Sequence, residues 1–270
     1  MPFRHGAWDN KCEAIAALAA SRDAVYERLK KARPGDSLLI QQRARYLAWL
    51  GRWDDALAAY DAMIHDHPDA EDAFVEYASI LLLKGDVDGY RKWCARLAQK
   101  FASTPGYFVG TMLARACALS AHAGIVAPQV IEWAEKAAAR APRDRRALHA
   151  MGLALLRAGR PREAVAQFLS SIAAGEDSAR NWIGLALAGF RAGQQAEASR
   201  WLEKAGGWLE EKQLESGDRT THLSPPIYIT DWLETLVLCR EADALLENRK
   251  LGNVRIRMAR RLAFEPARQV

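Results

Sequence analysis

The sequence predicts an all-α protein, an α-α superhelix of helix–turn–helix repeats finished by a C-terminal capping helix. Three observations carry that expectation. Gly51, Gly85, Gly159 and Gly193 each follow one apolar helical pattern and precede another. The same small and large residue types stand at fixed offsets around each glycine, and prolines keep the same interval independently.

Two of the glycine intervals, 51 to 85 and 159 to 193, are 34 residues. The interval from Gly85 to Gly159 is 74, two periods plus six, which predicts a repeat with a short insertion assigned to His122–Pro128. A glycine just past a helix takes positive φ without steric penalty, so each should end a first helix. Seven residues before the glycines stand Ala44, Ala78, Gly152 and Ala186; five after them come Ala56, Tyr90, Ala164 and Ala198. Four further on come Tyr60, Cys94, Phe168 and Leu202. Antiparallel helices approach closely where small side chains face each other, and a bulky neighbour one turn away closes the gap. Tyr90 alone breaks the small-residue rule.

Pro34 and Pro68 are also 34 apart, and Pro142 ends the unit before Arg145. Proline cannot continue a helix, so each marks the end of a second helix. Position 102, where the next proline is due, holds Ala102, and Pro105 follows three residues later.

These residues resemble the tetratricopeptide repeat. The resemblance implies a right-handed superhelix of five units, 37–70, 71–104, 105–144 with the insertion, 145–178 and 179–212, led by a degenerate unit over 3–36. The stretch from Gly85 to Cys94, with Trp201–Ala205 and a closing helix, also looks like the repeat region of bacterial chains that begin with a Ser/Thr kinase domain or a WD40 propeller. That likeness implies, as an alternative, an accessory part of a signalling system.

Pro225–Pro226 precede a helix from about Ile229 to Leu246, the main part of a capping segment over 225–248. An open stack needs such a cap, because its last repeat otherwise leaves an apolar side in water. Residues 249–270 are a basic tail with seven Lys or Arg against Glu265, which accounts for +6 and leaves the body near −1 from a formal total of +5. The basic balance therefore belongs to the tail, and nucleic-acid binding ranks lowest among the expected functions.

Half of the residues are hydrophobic and 26% are charged, an ordinary globular composition. No apolar run approaches the roughly 18 residues a membrane span needs. Cys12, Cys94, Cys117 and Cys239 are too scattered for a zinc site or disulfide framework, which predicts a reducing cytoplasm and cysteines used as small core residues. The phosphate loop, the nucleophile elbow, the H-E-x-x-H pair and the kinase H-R-D and D-F-G motifs are absent, so no enzyme activity and no cofactor are expected. His65 and His67, two apart on a helix, point to different sides and predict no metal site. Trp53, Trp93, Trp133 and Trp201 fall at packing positions of second helices.

The resemblance places partner binding on the inner wall formed by first helices. Its groove positions carry over to Gln41, Arg45 and Trp49; to Asp72, Val75 and Ser79; to Thr111 and Arg115; to Arg146, His149 and Arg157; and to Arg180, Ile183 and Arg191. From these, Arg45, Trp49, Arg115, Arg146, His149, Arg180, Ile183 and Arg191 form the expected partner-binding set. Arginine pairs bidentately with carboxylate or phosphate, so the expected partner is a protein or peptide of acidic character. The lysine and asparagine pattern of the chaperone-binding carboxylate clamp is not reproduced.

Overall fold

The computed structural model describes residues 23–33, 35–67, 70–102, 106–125, 127–216 and 228–248. Residues 23–32 are helical (α1). They are followed by α2 (Ser37–Trp49), α3 (Trp53–Asp66), α4 (Asp72–Lys84), α5 (Val87–Lys100), α6 (Tyr107–Ala118) and α7 (Ala127–Arg140). The chain continues through α8 (Arg145–Arg157), α9 (Pro161–Ala173), α10 (Ala179–Arg191), α11 (Gln195–Ser216) and α12 (Ile229–Asn248). No strand occurs among the described residues. Most of the expected leading unit, Cys12 and the tail 249–270 lie outside them.

The helix boundaries follow local chemistry. Asp36, Asp86 and Asp144 each accept a hydrogen bond from the backbone N–H three residues on, at 3.1, 2.8 and 2.8 Å, and so open α2, α5 and α8. Pro161 opens α9, where its missing N–H costs nothing. Gly51, Gly85, Gly159 and Gly193 share one ending: Gly85, for example, sits at φ 85°. Its N–H donates to Leu82 O while Asp86 N–H donates to Leu81 O. The same pair of reverse bonds follows α2, α8 and α10, which makes the recurring glycine the mark of a repeated Schellman motif.

The described helices form two compact units. One lies within Met1–Asp69, where α2 packs on α3 and Arg43 pairs with Asp23 of α1. The other comprises Ala70–Glu215 and α12. In it α4 pairs with α5, α6 with α7 and α8 with α9, and the first helices α4, α6, α8 and α10 pack one against the next. This is the α-α superhelix the sequence predicts.

The offset residues behave as packing requires. Ala44, Ala78, Gly152, Ala186, Ala56, Ala164 and Ala198 are buried, as are the fillers Tyr60, Cys94, Phe168 and Leu202. Phe168 explains why two of its neighbours are glycine: a Cβ on Gly152 or Gly184 would lie 2.6 or 2.7 Å from its ring. Tyr90 is the exception with a reason. Its buried hydroxyl donates to Ala116 O at 3.0 Å and accepts from Ser120 N–H at 3.2 Å, tying α5 to the end of α6.

Two details differ from expectation. The interruption begins at Leu119, directly after α6, and Pro128 lies in the first turn of α7, where proline fits a helix. Trp93 and Trp133 are buried, but Trp53 and Trp201 are only half-buried. Cys94, Cys117 and Cys239 are buried free thiols.

A candidate helix-binding groove

The first helices of unit two turn one row of side chains inward, and α12 lies along that row. The closing helix packs on α10, the last first helix, and also against α4 at the other side of the same unit. Its sequence has a reason to be there. Ile229, Trp232, Leu233, Leu236, Val237, Leu238, Cys239, Ala242 and Leu246 are all buried, so α12 is apolar around most of its circumference and surrounded by protein. Three of its carboxylates, Asp231, Glu234 and Glu241, face the inner wall. Their spacing of three and then seven residues keeps them on one stripe of the helix.

Each carboxylate meets cations from the inner wall. Arg115 of α6, 2% exposed, donates from Nη2 to Glu234 Oε2 at 2.5 Å and to Asp231 Oδ1 at 2.9 Å. Arg180 of α10, 1% exposed, pairs with the same two acids through Nη1, reaching Glu234 Oε2 at 3.2 Å. Its Nη2 donates to Glu176 at 2.7 Å. His149 of α8 completes the cluster: Nδ1 lies 2.7 Å from Asn181 Oδ1, and Nε2 faces Glu234 Oε1 at 3.1 Å. The Asn181 amide donates to Ser171 Oγ and to Glu176 O, which turns its oxygen toward the imidazole.

Glu234 is fully buried, and burial alone would push its carboxyl up. Arg115, His149 and Arg180 outweigh that cost and hold it well below the ordinary glutamate range. The same acids keep the buried Arg115 guanidinium charged.

A second cluster holds the other half of α12. Arg157 donates from Nε to Ala118 O and from Nη2 to Leu119 O, each at 2.7 Å, so it caps the carbonyl end of α6. Its Nη1 and Nη2 grip Glu241 bidentately at 2.6 Å. Arg191, one 34-residue period later, repeats the arrangement with Leu156 O at 3.3 Å and Glu241 Oε1 at 2.9 Å. On the opposite wall Thr230 donates to the buried Glu76 of α4 at 2.5 Å, and Arg240 donates to Leu82 O at 2.9 Å.

Of the residues expected to bind a partner, Arg115, His149, Arg180 and Arg191 thus come together around α12. Arg146 is exposed and lines a hollow of about 210 Å³ at the N-terminal end of α12, with Phe108, Met112, Arg115, Tyr228, Thr230 and Asp231. Ile183 is completely buried. In unit one Trp49 is 3% exposed and Arg45 is half-buried, so Trp49 serves packing here. Val75, Ser79 and Thr111 are buried too, the two hydroxyls donating to carbonyls one turn back on their own helices. What the sequence reading missed is the acidic half of the groove. A signal existed in α12: a helix whose apolar residues run round most of its circumference, with Asp231, Glu234 and Glu241 on one stripe, belongs inside protein.

Among the described residues no group of His, Cys, Asp and Glu is arranged to hold a metal ion. None of their helices is long and apolar enough to cross a membrane.

The sequence profile of the tetratricopeptide repeat matches residues 42–106 and 149–207. Among solved structures the chain is similar to YrrB, described as a TPR protein with an unusual peptide-binding site, at 17% identity and TM-score 0.39, covering 67% of this chain and 90% of that one. It is similar to TTC0263, a thermophilic TPR protein of Thermus thermophilus, at 20% identity and TM-score 0.49, covering 69% and 98%. MamA MSR-1 C2 aligns at 16% identity and TM-score 0.38, covering 65% and 97%. Among curated proteins no match is found.

Proposed function

The chain belongs to the tetratricopeptide-repeat proteins, and on that premise we propose that it is an interaction scaffold whose inner groove recognises an acidic segment of a partner protein. The observation that carries this reading is the double clamp on α12. Arg115, His149 and Arg180 meet Asp231 and Glu234, while Arg157 and Arg191 meet Glu241. A wall that aims four guanidinium groups and an imidazole inward selects carboxylates, since a neutral occupant leaves buried cations without counter-charge. Arg157 and Arg191 add shape to charge, because each is already oriented by carbonyls at a helix end. The role is binding, with the groove as its site.

The test uses the full chain carrying Glu241→Lys, which places a cation beside Arg157 and Arg191 and loosens α12. Glu241→Gln serves as a milder version if the first unfolds by circular dichroism. Two labelled peptides of residues 228–248 are titrated, one native and one with Asp231, Glu234 and Glu241 changed to amides. The native peptide is expected to bind at least tenfold more tightly, with an affinity that falls as salt rises. Equal binding of the two peptides, or none of either, removes the reading.

A further inference from the structure

The groove in this chain is filled by the chain's own α12, and the fit has identifiable defects. Arg115 and Arg180 each keep a buried Nε–H with no acceptor among the described residues, although both side chains are at most 2% exposed. An unsatisfied buried donor is costly, so α12 leaves recognition capacity in the wall unused. Arg240 adds a second defect: half-buried on α12, its guanidinium is pushed down to about 10 by desolvation. A replacement helix without a cation there avoids that cost.

Spontaneous opening is disfavoured for a separate reason. If α12 leaves and nothing enters, the apolar surface buried by Trp232, Leu233, Leu236 and Leu238 returns to water and the links of Arg115, Arg180 and His149 to its carboxylates are lost with it, which together is strongly unfavourable. An incoming helix with acids at the same places removes most of that cost. Exchange is therefore favoured over opening, and the requirement for matched acids makes it selective. The place for such a helix to begin is also present. At the N-terminal end of α12, Arg146 is exposed and has no ion-pair partner among the described residues, and the exposed Tyr228 lines the same hollow.

Resting on the proposed function, we infer that α12 is a built-in competitor. The groove's partner is an acidic amphipathic helix whose carboxylates repeat the spacing of Asp231, Glu234 and Glu241, at i, i+3 and i+10, and it takes the groove by exchange with α12. Apolar residues at the places of Trp232, Leu236 and Val237 would complete it. The partner is thus helical in the groove, and the chain reports its arrival by releasing a helix of its own.

The experiment is hydrogen exchange on the wild-type full-length chain, with and without the native 228–248 peptide carrying an isotope label so that the two copies are told apart. The expected result is an acceleration of at least tenfold in the amides of the chain's own α12 at saturating peptide, while α6, α8 and α10 keep their protection. The amide-substituted peptide should leave α12 protected. Binding of the native peptide with α12 still protected overturns the exchange and leaves the acidic-helix reading standing. Binding to the Glu241→Lys chain but never to wild type does the same, and shows α12 to be a permanent part of the wall. Concentration-dependent dimerisation of wild type with release of α12 assigns the groove to a second copy, and overturns the proposal of a separate partner.

Discussion

Phe168 shows how little freedom the repeat leaves to one side chain. Its ring lies against two helices at once, and Gly152 on α8 and Gly184 on α10 each make room for it. Adding one methyl group at either place forces the ring or a helix to shift, so Gly152→Ala and Gly184→Ala should each destabilise by about 1–3 kcal/mol despite the better helix propensity of alanine. Thermal melts of the single variants and of Gly152→Ala with Phe168→Leu check this. The smaller leucine should recover part of the loss, and additive losses would contradict the assigned clash. Glu234 makes a prediction of a different kind. Its folded-state pKa is depressed, so its stabilising contribution is complete above its unfolded value of about 4.3 and is lost as pH falls through the lower folded value. Glu234→Gln should cost about 3–5 kcal/mol near neutral pH, because Arg115 and Arg180 remain buried. The same variant should show a flatter loss of stability below about pH 4, measured by urea unfolding across pH. An unchanged acid limb would remove Glu234 from the acid response.

At the scale of elements, the second cluster makes Arg157 a joint between three helices, since one guanidinium caps α6 and holds α12 from its seat on α8. Arg157→Ala should therefore raise hydrogen exchange in the second half of α12 and in the last turn of α6 together. Arg191→Ala, whose side chain is 35% exposed, should affect α12 more weakly. Loosening confined to α6 would show that Glu241 is held by other groups. The repeat helices were legible in the sequence because each rule acts locally: glycine at positive φ, proline at a helix end, small residues at a helix crossing. Arg157 and Arg191, one period apart, came from the groove positions the resemblance implies and not from a local rule. The occupant was not legible. Nothing within α12 states which surface buries it, and its contacts with α4 join residues 154 and 158 positions apart. Trp49 and Ile183 were misleading because a groove position and a packing position differ by less than one helical turn, and only the assembled wall decides between them.

For the whole of the second unit, α12 changes how the stack should unfold. In an open repeat array each unit touches only its neighbours, so stability is a sum of local terms and the ends can peel away singly. Here one helix is bonded to α4, α6, α8 and α10, and no first helix can leave without losing a contact to it. These links span the first and last helices of the wall and should convert a stepwise process into one cooperative transition. Hydrogen exchange measured across a denaturant series separates the two behaviours. In wild type the slowest amides of α4, α6, α8 and α10 should converge on a single opening free energy. In a chain with Glu234→Gln and Glu241→Gln, where both clamps on α12 are weakened, those energies should spread, with α4 exchanging at least tenfold faster than α8 because it loses its link to the far side of the wall. A wild-type protein whose four inner helices already open at separate free energies would show that α12 fills the groove without coupling its walls.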